Sequence, residues 1–219
     1  NDGYRSFEEF LAALSSRKRK TVRRERRVAN SHPLKIETLH GDELCESQLI
    51  AFFRMYEHTC LRKWGDPYLN FGFLNLLTKR MPRAFVLVLA TPNGSRHPVA
   101  GAWNLKGSNA LFGRNWGALE HFELLHFEIC YYRAMDYAIE HGLCRVEAGA
   151  QGTHKIQRGY RPRPVYSLHH IRERAFRDAI GKYLQAEREE TEYRLEALTQ
   201  FEPFRRTFSA LPEGTHELG

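Results

Sequence analysis

The chain has 219 residues, an apolar fraction of 42% and a formal net charge of +7. Length and apolar content exclude a disordered chain and are enough for one full hydrophobic core. The longest apolar run, residues 84–90, is far too short to cross a bilayer. The opening residues 1–12 lack the basic start and apolar run of a signal peptide. A chain without an initiator Met is what a processed product or one half of a longer protein would show. The four cysteines, at 45, 60, 130 and 144, form no Cys-x-x-Cys pair and have no metal-ligand spacing. They read as small buried hydrophobes in a reducing compartment, so a cytoplasmic protein without a bound metal is expected.

In chain order, Ser6 followed by Glu9 is a capping-box pattern, and Phe7, Phe10, Leu11 and Leu14 recur at helical spacing. The helix they start is expected to continue to about residue 30 as a basic tail. Arg17, Lys18, Arg19, Lys20, Arg23 and Arg24 follow one another there, interrupted only by Thr21 and Val22, with Glu25 next and then Arg26 and Arg27. Such a run suits phosphates on RNA, lipid head groups or a nucleotide, although a solvated helix face is the more common outcome. Residues 34–39 read as a strand, with Gly41 and Asp42 turning into a helix that ends near residue 61. A second helix covers about 70–80. Three strands then follow closely, at 84–90, 99–105 and 110–114, an antiparallel meander set by the turn residues Pro92-Asn93-Gly94 and Lys106-Gly107-Ser108-Asn109. A helix is expected over about 123–141, stopped by Gly142, then a strand over 143–148. Residues 165–169 read as a further strand, and 172–198 as a long charged helix with its apolar positions in the first half. The order of elements makes a mixed α/β protein rather than a doubly wound one. It divides into a basic helix over 1–30, a body over 31–200 and a tail over 201–219.

Chemistry concentrates between residues 111 and 170. In a strand, Glu147 and Arg145 share one face. Near a cavity the Glu147 carboxyl would rise in pKa and serve as a general base; otherwise it pairs with Arg145 or another cation. Gly149 and Gly152 let the following loop turn tightly and approach a ligand. With Gln151, His154, Lys155, Arg158, Gly159 and Tyr160, that loop suits an anionic donor or a developing oxyanion. His126, Glu128, Tyr131 and Tyr132 form a second cluster on the preceding helix, where the tyrosines can equally be core residues.

The stretches Arg114-Asn115-Trp116-Gly117, Leu125-His126-Phe127-Glu128-Ile129-Cys130-Tyr131-Tyr132, Glu147-Ala148-Gly149-Ala150-Gln151-Gly152-Thr153-His154-Lys155 and Arg158-Gly159-Tyr160 resemble the FemAB-like family, in its bacterial branch of peptidoglycan biosynthesis or recognition proteins. The meander, central helix and following strand resemble the Gcn5-related N-acetyltransferase (GNAT) fold. The resemblance implies an acyltransferase that moves an acyl or aminoacyl group to an amine acceptor, such as a peptidoglycan-precursor peptide of the cell wall. The co-substrate would be acyl-CoA or aminoacyl-tRNA, and a second GNAT domain from the rest of a longer chain is a possible partner. Enzymes that use acyl-CoA carry Arg/Gln-x-x-Gly-x-Gly/Ala before the central helix. Here Arg114 and Gly117 match, but Leu119 stands at the last position. On this reading Glu147 or His154 deprotonates the amine. Gly149, Gln151, Gly152, Lys155, Arg158, Gly159 and Tyr160 hold the donor, and Arg114, Trp116, His126, Glu128 and Tyr132 line the acceptor pocket. The rival expectation is a non-catalytic module of the same fold that binds RNA or a cell-wall precursor.

Overall fold

A computed structural model of the chain describes residues 3–63, 65–149 and 152–205. Gln151, expected in the donor loop, and most of the expected tail lie outside the described residues.

The elements are helices α1 (Phe7–Ala13) and α2 (Ser16–Ser31), strand β1 (Leu34–His40), helices α3 (Glu46–Lys63) and α4 (Phe71–Arg80), and strands β2 (Phe85–Pro92), β3 (Ala100–Lys106) and β4 (Ala110–Ala118). A composite helix α5 follows over residues 125–140, then strand β5 (Arg145–Glu147), a tight 3-10 turn (Thr153–Arg158) and a final helix α6 (Arg174–Thr199). The five strands lie in the order of the chain. β1 to β4 pair antiparallel, and β5 joins β4 in parallel. This is the mixed α/β layout expected from the sequence, meander included.

The sheet is covered on both faces because β2 is apolar on both. Phe85, Leu87 and Leu89 meet Leu49, Phe52 and Met55 of α3 and Leu74 of α4. Val86, Val88 and Ala90 meet α5 through Leu125, Ile129, Ala134 and Ala138. Burying a side chain such as Phe85 is worth roughly 1.5–3 kcal/mol, and the Phe85 ring stacks on Trp103 at 5.4 Å. One close approach positions α3. A Cβ added to Gly117 of β4 would stand 2.5 Å from the Met55 carbonyl carbon, so only glycine lets the helix rest on the sheet there.

Several expectations change. The N-terminal helix is two helices, because the backbone at residues 13–15 is given to the returning C-terminal segment: Ser15 N–H donates to Pro203 O and Arg205 N–H to Ala13 O. Ser6 caps α1 by accepting from Glu9 N–H, as its pattern predicts. α2 is no separate appendage; Val22, Glu25 and Ala29, at helical spacing, are buried against the body. Residues 165–169 form no strand. Val165 and Leu168 are almost wholly exposed, and a β-prone sequence without a neighbouring strand has nothing to pair with. Cys45 and Cys144 are exposed rather than buried. The apolar residues of α6 are not core either, for none of its residues is buried.

Candidate active site

β4 is nine residues long, yet β5 pairs with it only over Ala110 to Phe112. β5 ends at Glu147 while β4 runs on to Ala118, and side chains from β4, α5 and the 3-10 turn meet in the space this leaves beside β4. A path of rings marks the place. Trp116 of β4 lies edge-on to His126 at 5.2 Å, His126 to Tyr131 at 5.4 Å, and Tyr131 lies 5.9 Å from His154. Phe127 stacks on Tyr131, and Tyr160 meets its ring edge at 5.5 Å.

The polar contact within this path is between Tyr131 Oη and His154 Nε2, 2.9 Å apart. Burial pushes the Tyr131 phenol up to about 12, so it keeps its proton and is the donor. Burial and the nearby charges of Arg158 and Lys155 lower the His154 pKa, so the imidazole is held neutral and accepts. His126 is pushed down to about 4 by burial first and then by His154 and Lys63. The His154 ring is exposed and open to a substrate. Gly152 (φ 98°) makes its position possible, since a Cβ there would stand 2.6 Å from the ring. Lys155 Nζ donates to the carbonyls of Ala148 at 2.7 Å and Gly149 at 3.2 Å, tying the end of β5 to the turn.

α5 brings Tyr131 to this place through an irregularity. Its α-helical pieces, Leu125–Phe127 and Arg133–Glu140, are joined by a π turn, Glu128–Tyr132. The wider turn puts Arg133, five residues on, against Glu128, with Nε donating to Oε1 at 2.9 Å. It also sends adjacent tyrosines to different partners: Tyr131 to His154, and Tyr132 to Glu25, to which its hydroxyl donates. π turns of this kind often mark functional sites.

Six of the expected site residues have structural contacts of their own. Arg158 is not open to a donor: its Nε and Nη2 grip the Glu25 carboxylate at 2.9 and 2.7 Å, its Nη1 donates to His154 O at 2.9 Å, and its guanidinium carbon sits 3.4 Å over the Phe127 ring. Glu128 is fully buried and held by Arg26 and Arg133, with Arg26 also gripping Asp136. Tyr132 is fully buried. Glu147 is half exposed and paired with Arg145 at 2.9 Å, the ion pair that their shared strand face allowed. Gly159 serves close packing, as a Cβ there would stand 2.7 Å from the Phe10 ring. Tyr160 donates to Tyr131 O at 3.4 Å and packs behind the site. Arg114 falls where the β4 register against β3 shifts, between Gly113 and Asn115, and is exposed, while Trp116 pairs with Ala102.

Sequence reasoning missed Glu25, Arg26 and Asp136. A signal was present for Glu25: it is the one acid within the basic run, at helical spacing from Val22 and Ala29. Of the basic run, Arg23 pairs with Glu8 at 2.6 Å and Lys18 donates to Gln157 in the turn that carries His154. Arg17, Lys20, Arg24 and Arg27, spaced by three and four residues, form one exposed stripe opposite the buried face. The segment between β4 and α5 holds no glycine and two exposed acids, Glu120 and Glu123, and Arg114 and Gly117, the matched motif positions, lie inside β4. Among the described residues no group of three or more potential metal ligands occurs, and no helix is long and apolar enough to cross a membrane.

A family model described as FemAB_like, peptidoglycan biosynthesis/recognition, matches residues 1–206. The chain belongs to the FemAB-like family. The transferase class expected from the sequence goes with that membership. Solved structures similar to the chain include an aminoglycoside acetyltransferase from an uncultured soil metagenomic sample in complex with sisomicin. It is 14% identical, with a TM-score of 0.42 over 65% of this chain and 96% of that one. Another is a possible acetyltransferase from Clostridium difficile 630, 10% identical, with a TM-score of 0.47 over 65% and 100%. A ribosomal-protein-alanine N-acetyltransferase from Brucella melitensis biovar Abortus 2308 is 14% identical, with a TM-score of 0.39 over 64% and 99%. Likenesses this loose carry no functional argument. No curated protein matches the chain.

Proposed function

We propose that this FemAB-like protein transfers an aminoacyl group from aminoacyl-tRNA to an amine of a peptidoglycan-precursor peptide, with Tyr131 and His154 moving the proton. The observation that carries the reading is the 2.9 Å contact between Tyr131 Oη and the neutral His154 imidazole in the space beside β4. The acceptor amine attacks the ester carbonyl. Its proton passes to Tyr131 Oη as the phenol proton passes to His154 Nε2. When the tetrahedral intermediate collapses, the imidazolium returns that proton through Tyr131 to the leaving ribose oxygen. No charge is left on the enzyme, and the high pKa of Tyr131 keeps it neutral except in transit. The oxyanion falls to backbone N–H groups at the start of the 3-10 turn, beside Gly152. Trp116, His126 and Arg114 flank the acceptor, and Lys155 holds the loop and helps keep His154 neutral. Glu147, ion-paired at the surface, has no part in this route.

Two features favour tRNA over acyl-CoA as donor. α2 touches the His154 turn through Lys18 and Gln157, and its opposite, solvent-facing side carries the Arg17, Lys20, Arg24 and Arg27 stripe, where cations suit a phosphate backbone. The start of α5, where a pyrophosphate would meet helix N–H groups, is preceded by Glu120 and Glu123 instead of glycines.

Titration of the purified chain with aminoacyl-tRNA and with acetyl-CoA at two salt concentrations tests the donor. Salt-sensitive tRNA binding without CoA binding is the expected result. Saturable CoA binding overturns the choice of donor, and binding of neither favours the non-catalytic module.

A further inference from the structure

Residues 162–201 leave the body and return to it at one place. Arg161 pairs with Glu202 at 3.5 Å and lies 4.5 Å from the Phe204 ring centre, while Leu14 bridges to Phe204. Between these anchors stands α6, 26 residues long and about 39 Å at 1.5 Å per residue. It buries no residue, although most helical stability in proteins comes from packing an apolar face.

That face exists and is exposed except at its last member, the half-buried Ala197. Phe176, Ala179, Tyr183, Ala186, Glu190, Tyr193 and Ala197 alternate by three and four residues, the spacing of a coiled-coil seam, with one polar member. Its three aromatic members are exposed by 58, 64 and 72%. The seam differs from the half-buried side of the helix, which carries Ile180, Leu184, Leu195 and Leu198. In an antiparallel pair, Phe176 of one helix would lie over Ala197 of the other and Tyr193 over Ala179, with Tyr183 against Glu190.

The charges select the occupant. The first half of α6 holds Arg174, Arg177 and Lys182 against Asp178, whereas the second half holds Glu187, Glu189, Glu190, Glu192 and Glu196 against Arg188 and Arg194. The basic half of one α6 therefore complements the acidic half of another only when the two run antiparallel. A parallel pair sets like charges together, and a polyanion is repelled by the acidic half. Lys182, Glu189 and Glu196 occupy equivalent positions flanking the seam, where coiled-coil helices choose partner and orientation by charge.

We propose that α6 is the interface of a two-fold symmetric homodimer, in which the Phe176–Ala197 seams of two chains pack antiparallel. The contact is self-complementary, as two-fold symmetry requires, and it is independent of the reaction assigned above.

Sedimentation equilibrium of the full chain should give twice the 25.6 kDa of one chain. Tyr183→Glu, at an exposed site, should return it to the single-chain mass with the circular dichroism of the body retained. Lys182→Glu should also weaken the dimer at low salt, and adding Glu189→Lys should restore it, because in the antiparallel register residues 182 and 189 face each other across the seam and that pair is then inverted. A single-chain mass at every concentration overturns the proposal. So does a dimer untouched by Tyr183→Glu, or one that the inverted pair does not restore.

Discussion

The two long charged helices, α2 and α6, differ in what their inner faces do. α2 sets Glu25 and Arg26 into the body, and each is answered: Glu25 by Arg158 and Tyr132, Arg26 by Glu128 and Asp136. α6 is also rich in charge and buries nothing. Charge density in sequence therefore says little about location. What separates the two helices is whether the residues at helical spacing find partners across the fold. In α2 they do, and the site turn depends on it, since Arg158 holds His154 O with its remaining nitrogen while Glu25 fixes its other end.

Removing an α2 partner should have the largest effect. Glu25→Ala leaves the Arg158 guanidinium buried without its counter-charge, a loss on the order of 3–5 kcal/mol, measured by urea denaturation. Activity should fall with it, through the displaced His154 turn. A loss below about 1 kcal/mol, the usual ceiling for an exposed pair, would erase the distinction between the two helices.

Gly117→Ala should cost about 1–3 kcal/mol by forcing α3 off the sheet, read as a lower midpoint in the same experiment. At the small end, Glu147→Gln breaks only the exposed pair with Arg145 and should change stability by less than about 1 kcal/mol, with turnover kept. Loss of turnover in that variant alone would return Glu147 to the site.

The pH dependence sharpens the comparison from the side of the site. His126 has a folded pKa of about 4, below its unfolded value of about 6.5. The folded state therefore binds fewer protons. The stability this histidine contributes is complete above about pH 6.5 and declines as the pH falls toward 4. His126→Phe should flatten that part of the stability profile, followed by thermal denaturation between pH 4 and 7.

Much of this architecture was legible in the sequence. The Ser6 cap, the turns of the meander and the stop near Gly142 follow from residues whose local chemistry admits few alternatives, and the resemblance led to the family. The tight turn at Gly152, on which the His154 ring rests, was legible because a glycine after a strand lets the backbone turn tightly. The π turn was not legible, since regular helical spacing cannot show that Tyr131 and Tyr132 go to different partners. Arg158 in a glycine-rich loop looks like a ligand residue, and only the position of α2, distant in sequence, shows that it faces inward. Residues 165–169 illustrate the reverse: their strand-like pattern had no neighbouring strand to meet.

The central claim is that a neutral His154 accepts the acceptor's proton through Tyr131. Single-turnover transfer from aminoacyl-tRNA, followed from pH 5 to 8 in the wild type, Tyr131→Phe and His154→Gln, tests it most directly. The rate should rise with pH through a midpoint below the ordinary histidine value of about 6.5 and then level off. Each variant should lose about 10²-fold or more with donor affinity unchanged. A Tyr131→Phe enzyme that keeps the wild-type rate and pH profile would contradict the account.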